Sequence, residues 1–157
     1  MPHFKARKRV QHSPEAMFDL VADVERYPEF LPFCESLVVK ARDRDGTCEV
    51  MIADMTIGYK LVRETITSRV VLDRDNMDIR ADNVSGPFRQ MQNTWHFSRL
   101  DKGGCEVRFS ISYEFKSRAL SILVGGLFDK VFSRFADAFE VRADEILSPA
   151  EARIEKK

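Results

Sequence analysis

The sequence predicts an α+β domain: one strand, two short helices, about six further antiparallel strands and a long C-terminal helix. Three observations predict it. From Ser36 to Phe115 the hydrophobic period is mostly two. After Ser117 it changes to 3.6 and holds to Leu147. Ahead of both, Ser13-Pro14 opens a short amphipathic helix that runs into a bent, aromatic stretch, Asp23 to Cys34.

The first strand is expected from Phe4 to His12, with Phe4, Ala6, Lys8 and Val10 on one side and Lys5, Arg7, Arg9 and Gln11 on the other. Ser13 is the N-cap of the next helix and Pro14 its first residue, because proline has no N–H to satisfy there. Met17, Phe18 and Val21 form its buried stripe, and the helix is expected to end near Asp23. In Tyr27-Pro28-Glu29-Phe30-Leu31-Pro32 each proline pushes the residue before it out of the helical region, so Tyr27 and Leu31 sit at bends. Such a segment is a packed connector or the lip of an apolar cavity.

Turns are expected at Asp43-Arg44-Asp45-Gly46, Asp73-Arg74-Asp75-Asn76 and Asp101-Lys102-Gly103-Gly104, with Gly58 breaking one strand from the next. The last strand alternates most clearly. Val107, Phe109, Ile111, Tyr113 and Phe115 share one face, and Glu106, Arg108, Ser110, Ser112 and Glu114 the wet one. In the terminal helix, Leu120, Val124, Phe128, Val131, Phe135, Ala138 and Phe139 fall on one stripe. Gly125-Gly126 weakens it by roughly 1 kcal/mol per residue against alanine, and Pro149 is expected to stop it. Residues 1–148 read as one domain and 149–157 as a charged, disordered tail.

Composition excludes several classes. Lys plus Arg and Asp plus Glu number 25 each, so no strong overall field attracts nucleic acid, and no DNA partner is expected. Three scattered cysteines suit a reducing compartment. Met1-Pro2-His3 leads straight into a strand without a signal-like apolar core, which predicts a cytoplasmic protein that meets the inner membrane peripherally at most. No pair of histidines has ligand spacing and no Cys-x-x-Cys, nucleophile elbow or phosphate loop occurs, so neither a metal nor a catalytic constellation is expected.

Three motifs carry a family resemblance. Asp23-Val24-Glu25-Arg26-Tyr27-Pro28-Glu29-Phe30-Leu31-Pro32-Phe33-Cys34 resembles the opening signature of the coenzyme-Q-binding START-like family, of the polyketide cyclase/dehydrase-like superfamily. Gly86-Pro87-Phe88 followed by Trp95-His96-Phe97 is similar to its G-P-F and W-x-F pattern, and Ala138-Phe139-Glu140-Val141-Arg142-Ala143 to the end of its last helix. The family includes bacterial members described as ribosome-association toxins. The resemblance implies a helix-grip fold, a curved antiparallel sheet wrapped around the C-terminal helix with an apolar cavity between them. It also implies binding of ubiquinone or a related polyprenyl lipid, without catalysis or a further cofactor, in support of quinone delivery and respiration. The alternative it leaves open is inhibition of ribosome association through the large subunit. A polyketide-type cyclase shares the fold but needs convergent polar groups in the cavity, and the sequence shows none.

On that basis the expected cavity wall comprises Tyr27, Phe30 and Leu31 at the mouth, Trp95, Phe97, Phe109, Tyr113 and Phe115 on the sheet, and Phe128, Val131, Phe132 and Phe135 on the helix. Plain core packing is the competing reading for each. Glu64 shares parity with Val62, Ile66 and Val70, so it is either a head-group contact or a solvated edge residue. Lys5, Arg7 and Arg9 are either a solvated strand face or a contact for anionic lipid or ribosomal RNA.

Overall fold

A computed structural model describes residues 3–147. In chain order the elements are β1 (His3–Val10), α1 (Pro14–Ala22), a 3-10 segment (Val24–Glu29), β2 (Cys34–Asp45), β3 (Cys48–Tyr59), β4 (Val62–Asp73), β5 (Asp78–Ser85), β6 (Phe88–Arg99), β7 (Cys105–Phe115) and α2 (Arg118–Ile146). The seven strands form one sheet in the order β1-β7-β6-β5-β4-β3-β2, antiparallel throughout. Hairpins join β2 through β7, and β1 completes the sheet beside β7. The sheet curves around α2, which is the helix-grip arrangement.

Both helices start as their sequences dictate. Ser13 Oγ accepts from the Ala16 amide and Ser117 Oγ from the Leu120 amide, each at 3.1 Å, so an otherwise unpaired N-terminal donor is satisfied in each. α2 runs unbroken through Gly125-Gly126. Pro149 and the charged tail lie outside the described residues.

Three boundaries differ from expectation. β1 stops at Val10, because the chain turns to bury His12, whose Nε2 lies 2.8 Å from Asp144 Oδ1 on α2. Gly58 does not break a strand. It sits inside β3, its amide donates to the Phe33 carbonyl, and a Cβ there would stand 2.3 Å from the Glu35 carboxylate. The hairpin turn falls two residues later, at Lys60-Leu61. The 3-10 segment also begins earlier than the Tyr27 bend, at Val24, and carries Pro28 within it.

The core is unevenly filled. α2 packs chiefly on β1 and β7. There large rings meet one another, with centroid separations of 5.1 Å for Phe88–Phe128, 4.7 Å for Trp95–Phe109 and 4.9 Å for Trp95–Phe139. Edge-to-face pairs of this kind add to the hydrophobic gain of burial. Opposite β3, β4 and β5 the inward side chains are smaller.

Candidate ligand cavity

Because side chains alternate along a strand, β3 sends Ala53 and Met55 inward, β4 sends Ile66, Ser68 and Val70, and β5 sends Ile79 and Ala81. Register aligns these positions: Ala53 pairs with Ser68, Val70 with Ala81, Ala81 with Asn93 and Asn93 with Ile111. Two alanines and a serine fall where a filled core would carry leucine or phenylalanine. The result is a cavity of about 70 Å³, closed on the far side by Val24, Tyr27, Phe132 and Phe135 and completed by Leu37, Met91 and Trp95. Its volume admits about five waters.

No charged side chain lines this space. The Tyr27 hydroxyl donates to the Val21 carbonyl, and burial pushes that phenol well above its ordinary range, so it stays neutral. The two other polar side chains are Ser68 and Asn93. Asn93 Nδ2 donates to the Ser110 carbonyl at 2.9 Å. No protein partner holds the Ser68 hydroxyl among the described residues. Such a site orients one neutral polar group inside an apolar envelope. It offers no acid–base pair and no activated nucleophile, and no group of acidic, histidine or cysteine side chains among the described residues has metal-holding geometry.

Of the residues singled out in the sequence, Tyr27, Trp95, Phe132 and Phe135 line the cavity. Phe97, Phe109, Tyr113, Phe115, Phe128 and Val131 do not: they are buried in the filled half, where rings pack on rings. Phe97 lies between Phe18 and Trp95, and Phe115 against Phe88 and Phe128. Tyr113 reaches past the cavity to donate to Asp129. Phe30 and Leu31 also lie outside the lining. Leu31 is core, and Phe30 packs on Phe139 with the Arg142 guanidinium 5.1 Å from its ring. Glu64 is half-buried opposite Ile57, beyond Ile66 toward the hairpin tip, and does not reach the cavity.

Lys5, Arg7 and Arg9 project from the outer face of β1. Glu106 interrupts their field, 3.9 Å from Arg7, and its carboxyl is held below its usual range by Arg108 first and by Arg7 and Arg9 more weakly. The small inward residues Ala53, Ser68 and Ala81 were missed in the sequence. Their alternation with Met51, Met55, Ile66, Val70 and Ile79 is the signal that marks them.

Residues 10–140 match the model of the family described as polyketide cyclase / dehydrase and lipid transport. The chain belongs to this family. The Zhui aromatase/cyclase from Streptomyces superimposes with a TM-score of 0.78 over 95% of this chain and 97% of its own, at 14% identity, a likeness of fold alone. Two relatives are closer in sequence. The ribosome association toxin RatA of Escherichia coli is 31% identical over 148 residues, 94% of this chain and 90% of that one. The mitochondrial coenzyme Q-binding protein coq10 of Schizosaccharomyces pombe is 27% identical over 141 residues, 89% and 85% of the two chains. Both are named for binding or association, whereas Zhui is named as an enzyme. No helix among the described residues is long and apolar enough to cross a membrane.

Proposed function

We propose that this protein binds a neutral polyprenyl lipid, ubiquinone or a close relative, in the cavity between α2 and β3–β5, and carries it without chemical change in support of respiratory electron transport. The observation that carries the reading is the lining itself: apolar on all sides, free of charge, with Ser68 and Asn93 as neutral polar groups for a quinone carbonyl. A phosphate or carboxylate head group would lose its hydration there without a cation to replace it. A cyclase would need a proton donor or acceptor on the reacting atoms; Ser68 and Asn93 have no acid or base beside them, and the Tyr27 hydroxyl is taken up by the Val21 carbonyl. The similarity to coq10 supports the same choice of ligand.

A cavity of about 70 Å³ is too small for a quinone ring with its first isoprene units. Binding therefore requires the segment Val24–Leu31 to part from the sheet, and the tail enters as it does so. Each square ångström of tail taken from water contributes about 25 cal/mol, but a tail leaving a bilayer is already dry. Modest affinity and ready exchange follow, as a carrier needs.

Trp95 lines the cavity and is the one tryptophan of the chain. Titration with a short-tailed ubiquinone should therefore quench its emission saturably, with no parallel change on adding an alkyl phosphate. Absence of saturable quenching would remove the reading.

The similarity to RatA supports a second reading, association with the large ribosomal subunit through Lys5, Arg7 and Arg9. Counterion release would make such binding steeply salt-dependent. Sedimentation with large subunits at low and high salt separates the two readings, because quenching of Trp95 by a neutral quinone is insensitive to salt.

A further inference from the structure

Five of the exposed large hydrophobic side chains gather at one end of the molecule. Leu61, at the tip of the β3–β4 hairpin, is 99% exposed; Ile122 and Leu123, in the first turns of α2, are 79% and 69% exposed. Tyr59 and Val84 are exposed as well. Three contacts bring their elements together. Lys130 of α2 sits 5.8 Å from the Tyr59 ring centroid, the Lys116 amide donates to the Pro87 carbonyl in the β5–β6 turn at 2.9 Å, and a Cβ on Gly86 would stand 2.7 Å from the Thr65 carbonyl on β4. Leu123, Leu127 and Lys130 follow one another at helical spacing, so the face of α2 that meets Tyr59 continues to Leu123.

The hairpin turn is itself unusual. Its first residue, Lys60, holds φ at 55°, where glycine or asparagine is the ordinary choice, and its second is a fully exposed leucine. A leucine projecting wholly into water from a two-residue turn has no role in the fold. The charges around the patch are lopsided. Arg63 is paired with Glu35 and Arg89 with Glu114. Lys60, Lys116, Arg118 and Lys130 have no acidic partner among the described residues, against Glu64 and Asp129, of which the latter accepts from Tyr113.

We infer that this end of the molecule docks on an anionic lipid bilayer, with Leu61, Ile122 and Leu123 entering the headgroup layer and Lys60, Arg118 and Lys130 meeting lipid phosphates. The patch is made of protruding tips, not a groove, so it suits insertion into a deformable surface better than burial against a rigid protein. The ring of cations selects negative charge. Nucleic acid would satisfy the cations and leave the leucines wet. This surface is distinct from Lys5, Arg7 and Arg9 on β1. It also goes beyond the cavity reading, since docking needs no quinone.

The test is sedimentation of the protein, with no quinone added, with vesicles of phosphatidylcholine and phosphatidylglycerol mixed two to one, and with phosphatidylcholine alone. Binding is expected to the mixed vesicles and to be weak on the neutral ones. Changing Lys60, Arg118 and Lys130 to glutamine together should weaken it roughly a hundred-fold. Changing Leu61, Ile122 and Leu123 to serine should abolish sedimentation, whereas serine at the exposed Val141 and Ile146 should not. A Leu61→Trp variant should shift its emission to the blue on mixed vesicles. Failure of the unmodified protein to sediment, equal binding by the leucine variant, or an unshifted Leu61→Trp emission would overturn the inference. So would loss, in the leucine variant, of binding to large ribosomal subunits instead of vesicles. Saturable quenching of Trp95 by quinone in detergent-free solution would remain a separate result.

Discussion

Arg142 Nη2 donates to Glu29 Oε1 at 2.6 Å while its guanidinium covers the ring of Phe30, so the last turns of α2 hold the segment that closes the cavity. The Arg142 side chain is largely buried, and its Nε has no hydrogen-bond partner among the described residues. One residue therefore links the carboxylate and the ring of the same loop to the helix beneath it. The bent signature after α1 and the arginine near the end of α2 are separated by more than a hundred residues and act as one clasp.

Arg142→Ala should loosen this clasp. A charge-assisted hydrogen bond and a ring contact together suggest a loss of about 1–3 kcal/mol by chemical denaturation. Quinone dissociation should accelerate by more than the equilibrium affinity falls. Arg142→Lys should restore little of either, because an ammonium cannot both reach Glu29 and lie flat on Phe30.

Filling the cavity should separate binding from stability. Ala81→Leu adds methyl groups to empty space, so the melting temperature should hold or rise while quenching of Trp95 by quinone is lost. Val131→Trp places a ring in the filled half, where overpacking costs about 1–3 kcal/mol. The opposite pattern would mean that the ligand lies elsewhere.

Ser68→Ala removes the free hydroxyl and leaves the shape of the cavity. Loss of one hydrogen bond to the quinone predicts an affinity about five-fold lower, or about 1 kcal/mol. Binding of a polyprenyl hydrocarbon without a head group should be unchanged. An equal loss for both ligands would show that Ser68 acts on the fold.

The three thiols report on opening. Burial pushes Cys34 up to about 11 and Cys105 up to about 12. Since the thiolate is the reactive form, at about pH 8 no more than roughly one in a thousand of either is ionised. Cys48, half-buried at the start of β3, should label first with iodoacetamide. Cys34 opens β2 just after the closing segment and its amide donates to the Leu31 carbonyl, so its labelling should slow when quinone is bound and quicken in Arg142→Ala. Cys105, in β7 between β1 and β6, should follow global unfolding in every variant.

Much of the fold was legible because each element carries its own period. The alternation from Val107 to Phe115, the capping serine Ser13 and the stripe from Val124 to Phe139 each specify a local structure without reference to the rest. Gly58 was misread because its reason is tertiary: the Glu35 carboxylate two strands' length away in sequence occupies the space of its Cβ. Part of the expected wall falls outside the cavity for a related reason. Large rings attract attention in a sequence, but a ring fills space, and the rings of Phe88, Phe109 and Phe128 fill one another's. Emptiness arises where Ala53 pairs with Ser68 and Ala81 faces inward beside Val70 on the next strand, and no single strand records that coincidence.

The central claim is that a neutral polyprenyl lipid occupies this cavity, and extraction of the natively purified protein followed by mass spectrometry tests it most directly. The account predicts a polyprenyl quinone in near-stoichiometric amount, absent from Ala81→Leu prepared in parallel. Equal lipid content in both proteins, or none in either together with stoichiometric, salt-sensitive binding to large ribosomal subunits, would contradict it.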